Sequence, residues 1–164
     1  MKRFVRKGRT VFIITIAVLS SLTLCTVKKA NVYGNSMAPF LNEGDCVLVN
    51  RVSYLIGKPK RFDVVVFRYR NSERTYIKRI VGLPGETIQI VNGVVMVNGE
   101  NLEEPTERDL ILESGRAVNP VLLGNNEYFL LGDNRNNSSD SRNTDIGNVK
   151  KSELIGRVCL RFPF

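Results

Sequence analysis

The chain contains no histidine, and this absence limits the chemistry that it can perform. A Ser-His-Asp triad, a Cys-His pair and a His-ligated metal site are all excluded. Its three cysteines form no Cys-x-x-Cys pair, so no zinc site is predicted. For Cys46 and Cys159 the sequence favours two buried thiols that act as small apolar residues over a disulfide. An enzyme built from this chain therefore needs a base other than histidine.

Acidic residues are absent from the first nine positions, which carry five of the basic ones. Lys28 and Lys29 add two more basic residues, and residues 30–164 hold 17 Lys and Arg against 16 Asp and Glu. Most of the net charge of +8 thus comes from basic residues on both sides of one segment, and the rest of the chain is nearly neutral. This distribution argues against a nucleic-acid partner.

Charge is also absent from residues 10–27, whose eighteen positions are mostly apolar. A helix of this length spans roughly 27 Å, close to the thickness of a bilayer core. The basic residues on both sides favour a cytoplasmic N-terminus. A cleaved signal peptide is the competing interpretation, but no Ala-x-Ala site follows, and Leu24 occupies the small-residue position of a lipobox. A buried helix of a soluble domain is disfavoured because the run is apolar all round.

We therefore expect three regions. Residues 1–9 form a cytoplasmic tail, residues 10–27 a single transmembrane anchor in the plasma membrane, and residues 28–164 an extracytoplasmic domain.

The rest of the chain is predicted to be mostly β. Runs rich in β-branched and aromatic residues predict strands over residues 46–49, 63–69, 75–81, 86–97, 128–131 and 160–162. Asn92-Gly93 divides the longest of these runs into a hairpin, and Asn98-Gly99 predicts the next turn. Residues 100–119 are charged and predict a surface excursion, whereas residues 132–148 have the composition of a loop. A short helical turn is expected near residues 150–154.

Three short segments resemble, in sequence order, the motif boxes of type I signal peptidases. The first reads GNSMAPFLNEGD over residues 34–45, the second reads YIKR over residues 76–79, and the third reads GDNRNNSSDSR over residues 132–142. The third matches the family pattern GDNRxxSxDSR without a gap. The short length and single anchor look like the compact Gram-positive form of this family. The resemblance implies a coiled β-sheet catalytic domain, a Ser-Lys serine endopeptidase, and no cofactor or metal.

The resemblance assigns roles to residues of each box. It implies that Ser36 is the nucleophile and Lys78 the general base. Ser138 would hydrogen-bond the Lys78 amine, Asp133 would pair with Arg79, and Asp140 would pair with Arg142. In many relatives a hydroxyl two residues before the nucleophile completes the oxyanion hole, and here that position is Gly34. A second departure is Phe40, where threonine usually follows the proline.

The chemistry of the residues agrees with these roles. A serine hydroxyl is a poor nucleophile without a base, and a lysine serves as that base only when it is neutral. Burial among apolar groups lowers a lysine pKa because it disfavours the charged form. Alternation in a strand places Tyr76, Lys78 and Ile80 on one face and Ile77 and Arg79 on the other. On the strand pattern alone, Lys78 would be expected to be exposed to solvent, as most lysines are.

The substrate expected from the resemblance is an exported preprotein whose signal peptide carries small residues at −1 and −3. Ser36 lies nine residues after Val27, so an extended chain reaches at most roughly 30 Å from the membrane. The apolar residues 37–41 are expected to form a lip at the lipid bilayer. Met37, Tyr76 and Ile77 are the candidate linings of shallow pockets, and the substrate is expected to bind as an added strand.

Two other functions compete with this one. The self-cleaving SOS-response repressors share the Ser-Lys pair, but they carry a helix-turn-helix where this chain has its apolar segment. A non-catalytic, membrane-anchored β-domain that binds envelope proteins would not require Ser36 and Lys78, and both are present.

Overall fold

A computed structural model describes residues 27–69 and 74–164 of the chain. These residues form two antiparallel sheets. The larger sheet contains β1 (Val27–Asn31), β2 (Cys46–Asn50), β3 (Val64–Arg68), β4 (Thr75–Gly82), β9 (Glu127–Leu131), β10 (Val149–Lys150) and β11 (Leu154–Phe162). The smaller sheet contains β5 (Thr87–Val91), β6 (Val94–Val97), β7 (Glu100–Asn101) and β8 (Val121–Leu122). Helical turns are short and lie at Ser53–Ile56, Gly115–Val118 and Lys151–Glu153.

The order of strands places β4 near the middle of the larger sheet. This order is β1-β2-β11-β3-β4-β9-β10, and that of the smaller sheet is β7-β6-β5-β8. Antiparallel pairing sets Lys78 of β4 directly opposite Val65 of β3, and Arg79 opposite Val64. Arg79 also lies opposite Leu131 of β9. The middle of β4 is thus paired on both edges, which helps to bury the polar residues that it carries.

Apolar clusters cover both faces of the sheet around β4. Val65, Phe67 and Ile80 pack together on one face, with Tyr76 against them. On the other face, Val64 and Val66 pack with the segment that follows β1, and Ile77 lies against them. The side chains of Tyr76, Ile77 and Ile80 therefore alternate between the two faces as the sequence predicted. A third cluster joins the smaller sheet to the ends of β4 and β9.

The turn chemistry of the smaller sheet is also confirmed. Asn92 and Gly93 have φ of 51° and 81°, and Asn98 and Gly99 have φ of 53° and 87°. Positive φ at both central residues is the geometry of a two-residue hairpin turn, which Asn-Gly tolerates best. The predicted mostly-β architecture is confirmed, and the helical turn near residues 150–154 is present as Lys151–Glu153.

Several predicted boundaries were wrong. Strand β1 begins at Val27 and includes Lys28 and Lys29, which the sequence suggested only as flanking charges of the anchor. Strand β11 begins at Leu154 rather than at residue 160, and irregularities in its pairing disturb the alternation that would reveal it. Its Gly156 has no room for a side chain, because an added Cβ would lie 2.5 Å from the carbonyl oxygen of Asn50.

The charged segment over residues 100–119 is not only a surface excursion. Ile111 and Ala117 are 4% and 0% exposed and belong to the core beneath the smaller sheet. The backbone N–H of Ile111 donates a 3.0 Å hydrogen bond to the carbonyl of Gly93. Residues 102–114, named here the long connection, therefore pack inward at Ile111.

The predicted cytoplasmic tail and nearly all of the predicted anchor lie outside the described residues. Among the helices of residues 27–69 and 74–164, none has the length and apolar character needed to span a membrane.

Candidate active site

Ser36 lies in a compact turn between β1 and β2. The backbone enters this turn through Gly34, whose φ of 75° suits glycine. Buried side chains then fix the turn to the sheet, since Met37 and Leu41 are 1% and 0% exposed and pack in the cluster with Val64 and Val66. Ser36 itself is only half-buried. The turn thus holds a serine hydroxyl at the edge of an apolar cluster.

Lys78 meets this serine from the middle of β4. Its Nζ lies 2.8 Å from Ser36 Oγ and also donates a 3.0 Å hydrogen bond to the carbonyl of Ile77. The side chain is 3% exposed. Burial lowers the Lys78 pKa to about 8, while the negative charges of Asp140 and Asp133 act in the opposite direction. A lysine with this pKa is neutral in roughly one-tenth of molecules at pH 7, far more than a lysine with the ordinary value.

The third motif box forms a loop that folds back onto Ser36. The backbone N–H of Asn134 donates a 3.1 Å hydrogen bond to the carbonyl oxygen of Ser36, and the Asn134 side-chain amide donates to the carbonyl of Asn35. The other end of the loop is tied to β9, because Ser141 exchanges hydrogen bonds with the backbone of Leu130. The loop composition was predicted correctly, but several of its polar side chains are buried.

Both ion pairs that the resemblance implied are formed. Arg79 donates Nε and Nη2 to the two carboxylate oxygens of Asp133 at 2.7 and 2.6 Å. Arg142 donates in the same two-point manner to Asp140 at 2.8 and 2.9 Å. Asp140 also accepts a hydrogen bond from the backbone N–H of Gly132. Two-point pairs fix orientation as well as distance, so both hold the loop rigidly.

The predicted hydrogen bond between Ser138 and Lys78 is not formed. Among the described residues, Ser138 Oγ is buried and has no hydrogen-bond partner. The physical reason is that the Lys78 amine is directed to Ser36 Oγ and to the Ile77 carbonyl. Ser138 instead packs against the Cα of Gly132, on the same side as the carbonyl of Ser36. Ser138 is therefore next to the site without contacting the amine.

A cleft of about 270 Å³ opens beside the Ser36–Lys78 pair. All three candidate pocket residues, Met37, Tyr76 and Ile77, line it. The rest of its wall is formed by the end of β1 and the residues that follow it, and by Val66 and Thr75. The cleft therefore runs between two backbone segments, with the serine hydroxyl and the lysine amine at one wall.

This geometry is matched by relationships to known proteins. The family model described as signal peptidase, peptidase S26, matches residues 3–163. The chain belongs to this family. It is 36% identical to signal peptidase I of Bacillus caldolyticus over 97% of this chain and 92% of that protein. It is 33% identical to signal peptidase I U of Bacillus subtilis, over 97% and 90%.

The fold is similar to that of a solved family member as well. A crystal structure of a signal peptidase I from Enterococcus faecalis superposes with a TM-score of 0.52 at 31% identity, covering 63% of this chain and 99% of that chain. As a member of the S26 signal peptidase family, this chain is a serine endopeptidase that removes signal peptides.

Two departures from the family pattern can now be located. Gly34 offers no hydroxyl to an oxyanion, and the space around its Cα is open, since an added Cβ would meet nothing within 4 Å. The ring of Phe40 lies beneath the guanidinium of Arg79, 4.9 Å from its centroid. Phe40 therefore adds a cation–π contact to the arginine that follows the candidate base.

Sequence reasoning missed two charged residues beside the site. Glu104 and Arg108 of the long connection contact the third box through Arg135 and Asp133. The only signal for them is a pair of opposite charges four residues apart in a segment rich in charge. That pattern is common on solvated surfaces and does not identify a buried pair.

Proposed function

We propose that this chain removes signal peptides with Ser36 as the nucleophile and Lys78 as the general base. The observation that carries the proposal is the 2.8 Å distance between Lys78 Nζ and Ser36 Oγ, in a site that has no histidine. Burial of the amine supports it, because a neutral lysine has a lone pair that accepts the serine proton.

The reaction follows the logic of other serine proteases. Ser36 Oγ attacks the carbonyl carbon of the residue at −1 while the neutral Lys78 amine takes the hydroxyl proton. The resulting ammonium then gives this proton to the leaving amine of the mature protein. Water hydrolyses the acyl-enzyme in a second cycle of the same proton transfers. We assign the backbone N–H of Ser36 as one oxyanion donor; removal of such a donor costs about 2.7–4 kcal/mol in serine proteases.

We propose that two ion pairs beside the reacting residues also contribute to catalysis. Arg79–Asp133 and Arg142–Asp140 hold the third box, whose Asn134 in turn holds the Ser36 carbonyl. We assign them the role of orienting the two reacting side chains. Ser138 is given no role in orienting the amine, because its hydroxyl lies next to Gly132 and has no hydrogen-bond partner among the described residues.

Substrate selection is assigned to the cleft beside the pair. An extended peptide laid along the cleft meets backbone on both sides, which suits binding as an added strand. Met37, Tyr76 and Ile77 leave room for small side chains near Ser36, so that large residues at −1 and −3 are rejected by overlap.

Membrane placement completes the proposal. Residues 10–27 are assigned to a single span with the N-terminal tail in the cytoplasm, and residues 28–164 to the extracytoplasmic side. Strand β1 starts at Val27, the last residue of the predicted span, so the proposed span ends before Val27 and leads directly into the sheet that carries the site. The site then lies where exported preproteins emerge.

The test uses the full chain reconstituted in liposomes with a model preprotein that has alanine at −1 and −3. We expect release of the mature protein by the wild type, and loss of this release in Ser36→Ala and Lys78→Ala. Exposed Lys58→Ala serves as the matched control and is expected to retain activity. Equal cleavage by wild type and Lys78→Ala would show that Lys78 is not the base. Absence of cleavage by the wild type with several preproteins would favour the non-catalytic binding domain.

A further inference from the structure

Five buried charged side chains form one connected network next to the site. Its members are the arginines Arg79, Arg108 and Arg135 and the acids Asp133 and Glu104. The exposed fractions of these side chains lie between 0% and 11%. Charges buried to this degree are stabilised only when they are paired, so the positions of all five depend on each other.

Arg108 enters this network through Asp133. Its Nη2 lies 3.3 Å from Asp133 Oδ1, the same oxygen that accepts from Arg79 Nε. Its Nε lies 3.8 Å from Glu104. Glu104 in turn pairs with Arg135, whose Nε donates a 3.2 Å hydrogen bond to the carbonyl of Gly132. Glu104 and Arg108 of the long connection thus form ion pairs with the third box, through Arg135 and Asp133 respectively.

The two ion-paired residues of the third box, Asp133 and Arg135, lie on either side of Asn134, which contacts Ser36. Arg135 also donates a hydrogen bond to the carbonyl of Gly132, and Arg108 forms an ion pair with Asp133. The next residue, Asn134, donates its backbone N–H to the Ser36 carbonyl. A displacement of Glu104 or Arg108 is therefore transmitted to the backbone that holds the nucleophile.

We propose that Arg108 and Glu104 are positioning residues of this enzyme, which act through Asp133 and Arg135 on the Ser36–Lys78 pair. They belong to none of the motif boxes, and neither lines the substrate cleft. The inference rests on the proposed function, because its readout is the reaction of that pair.

The two residues are expected to act on Lys78 with opposite signs. Asp133 raises the Lys78 pKa through its negative charge, and Asp140 does so as well. Asp133 is compensated by Arg79 and Arg108, and Asp140 by Arg142. Removing the Arg108 charge leaves Asp133 less compensated, which favours the ammonium form of Lys78. Removing the negative charge of Glu104 makes the net charge of the network more positive, which favours the neutral form of the Lys78 amine.

The experiment measures kcat/KM against pH for the full chain in liposomes, with Arg108→Gln, Arg108→Lys and Glu104→Gln. For Arg108→Gln we expect the acid limb of the profile to move to higher pH by about 0.5 unit or more, which is about a threefold loss at pH 7. Arg108→Lys keeps the charge and is expected to keep the wild-type limb. Glu104→Gln is expected to move the limb to lower pH. Arg157→Gln, which removes an exposed arginine paired with Asp63, is the matched control and should leave the limb unchanged.

A purely structural role predicts a different result. Lower activity at all pH values with an unmoved limb, or shifts of the same sign for Arg108→Gln and Glu104→Gln, would overturn the proposal. If Arg108→Gln does not fold, the other two variants still test the proposal. It then requires that the acid limb moves to lower pH in Glu104→Gln and stays in place in Arg108→Lys. A wild type that does not cleave contradicts the proposed function instead, so the two failures are distinguishable.

Discussion

The backbone N–H of Asn134 donates a 3.1 Å hydrogen bond to the carbonyl oxygen of Ser36. This bond joins two motif boxes that lie almost a hundred residues apart in the chain. It requires the loop to approach the nucleophile closely, and Gly132 makes this approach possible. An added Cβ at Gly132 would lie within 2.5 Å of the Ser36 carbonyl oxygen and closer still to Ser138 Oγ. The position of Ser36, the proposed nucleophile, thus depends on a residue without a side chain.

We therefore predict that Gly132→Ala lowers kcat/KM by about 100-fold or more, because displacement of the nucleophile by about 1 Å has costs of this order. Gly124→Ala is the matched control. Its added Cβ would meet only the flexible side chain of Glu127, at 3.3 Å or more, so a small effect is expected. Preprotein cleavage and thermal unfolding measured on both variants check the prediction. Gly132→Ala activity close to that of Gly124→Ala would contradict it.

A second prediction concerns the pH dependence of cleavage. The base works only when it is neutral, and burial lowers the Lys78 pKa to about 8. The neutral fraction rises with pH, so kcat/KM is expected to rise about tenfold per unit below pH 8 and to level off above it. At pH 7 it should reach roughly one-tenth of the plateau. Circular dichroism at each pH verifies that the protein remains folded, and a flat profile between pH 6 and 9 would rule out Lys78 as the titrating base.

Lys78 also carries a prediction about stability. Its pKa is about 8 in the folded state and 10.5 as the ordinary value, so the unfolded chain binds the proton more tightly. The cost of burying the amine is fully present below pH 8 and disappears as the pH rises from 8 to 10.5. At pH 7 this cost is on the order of 3 kcal/mol. Lys78→Met is expected to remove the cost and so to raise the free energy of unfolding at pH 7, while cleavage is lost.

Urea unfolding of wild type and Lys78→Met at pH 7 and pH 10 measures this difference. The gain in stability should be larger at pH 7 and should shrink at pH 10, where the wild-type lysine is neutral. Lys58→Met replaces an exposed lysine and should change little at either pH. A Lys78→Met variant that is less stable than wild type at pH 7 would mean that burial of the amine carries no such cost.

Much of the fold follows from short-range patterns in the sequence. Strands β3 and β4 are rich in β-branched residues, and the Asn92-Gly93 turn has the positive φ angles that its composition predicts. Strand β1 was not predicted, because two of its five residues are exposed lysines and, among the described strands, it pairs with β2 alone. Such an edge strand owes its conformation to its neighbour rather than to its own composition.

The candidate site was also predicted only in part from the sequence. The motif boxes predicted Ser36 and Lys78 as the reacting pair, which the structure brings within 2.8 Å of each other, and the two ion pairs around them. They did not place the Ser138 hydroxyl, which depends on the direction that the Lys78 amine takes. Glu104 and Arg108 were missed because their partners, Arg135 and Asp133, lie about thirty residues further along the chain. Contacts over that separation leave no periodic pattern in the sequence.

Substrate selection provides the last prediction, which concerns Ile77. This residue is half-buried and lines the cleft, next to the lysine that contacts Ser36. Ile77→Ala removes three carbon atoms from the wall and should admit a larger side chain at −1 or −3. Because one methylene in a pocket changes discrimination by about 10–200-fold, we expect the preference for alanine over valine at those positions to fall by about tenfold or more.

The measurement compares kcat/KM for four preproteins that carry alanine or valine at −1 and at −3. Leu122→Ala removes as many carbon atoms from an exposed side chain on β8 that does not line the cleft, so it is the matched control and should keep the wild-type preference. The position that gains in Ile77→Ala identifies which substrate side chain lies against Ile77. If the ratio of alanine to valine cleavage stays unchanged at both positions while activity is retained, Ile77 does not bound a selective pocket. The small-residue preference would then have to arise elsewhere in the cleft, with the buried Met37 as the next side chain to test.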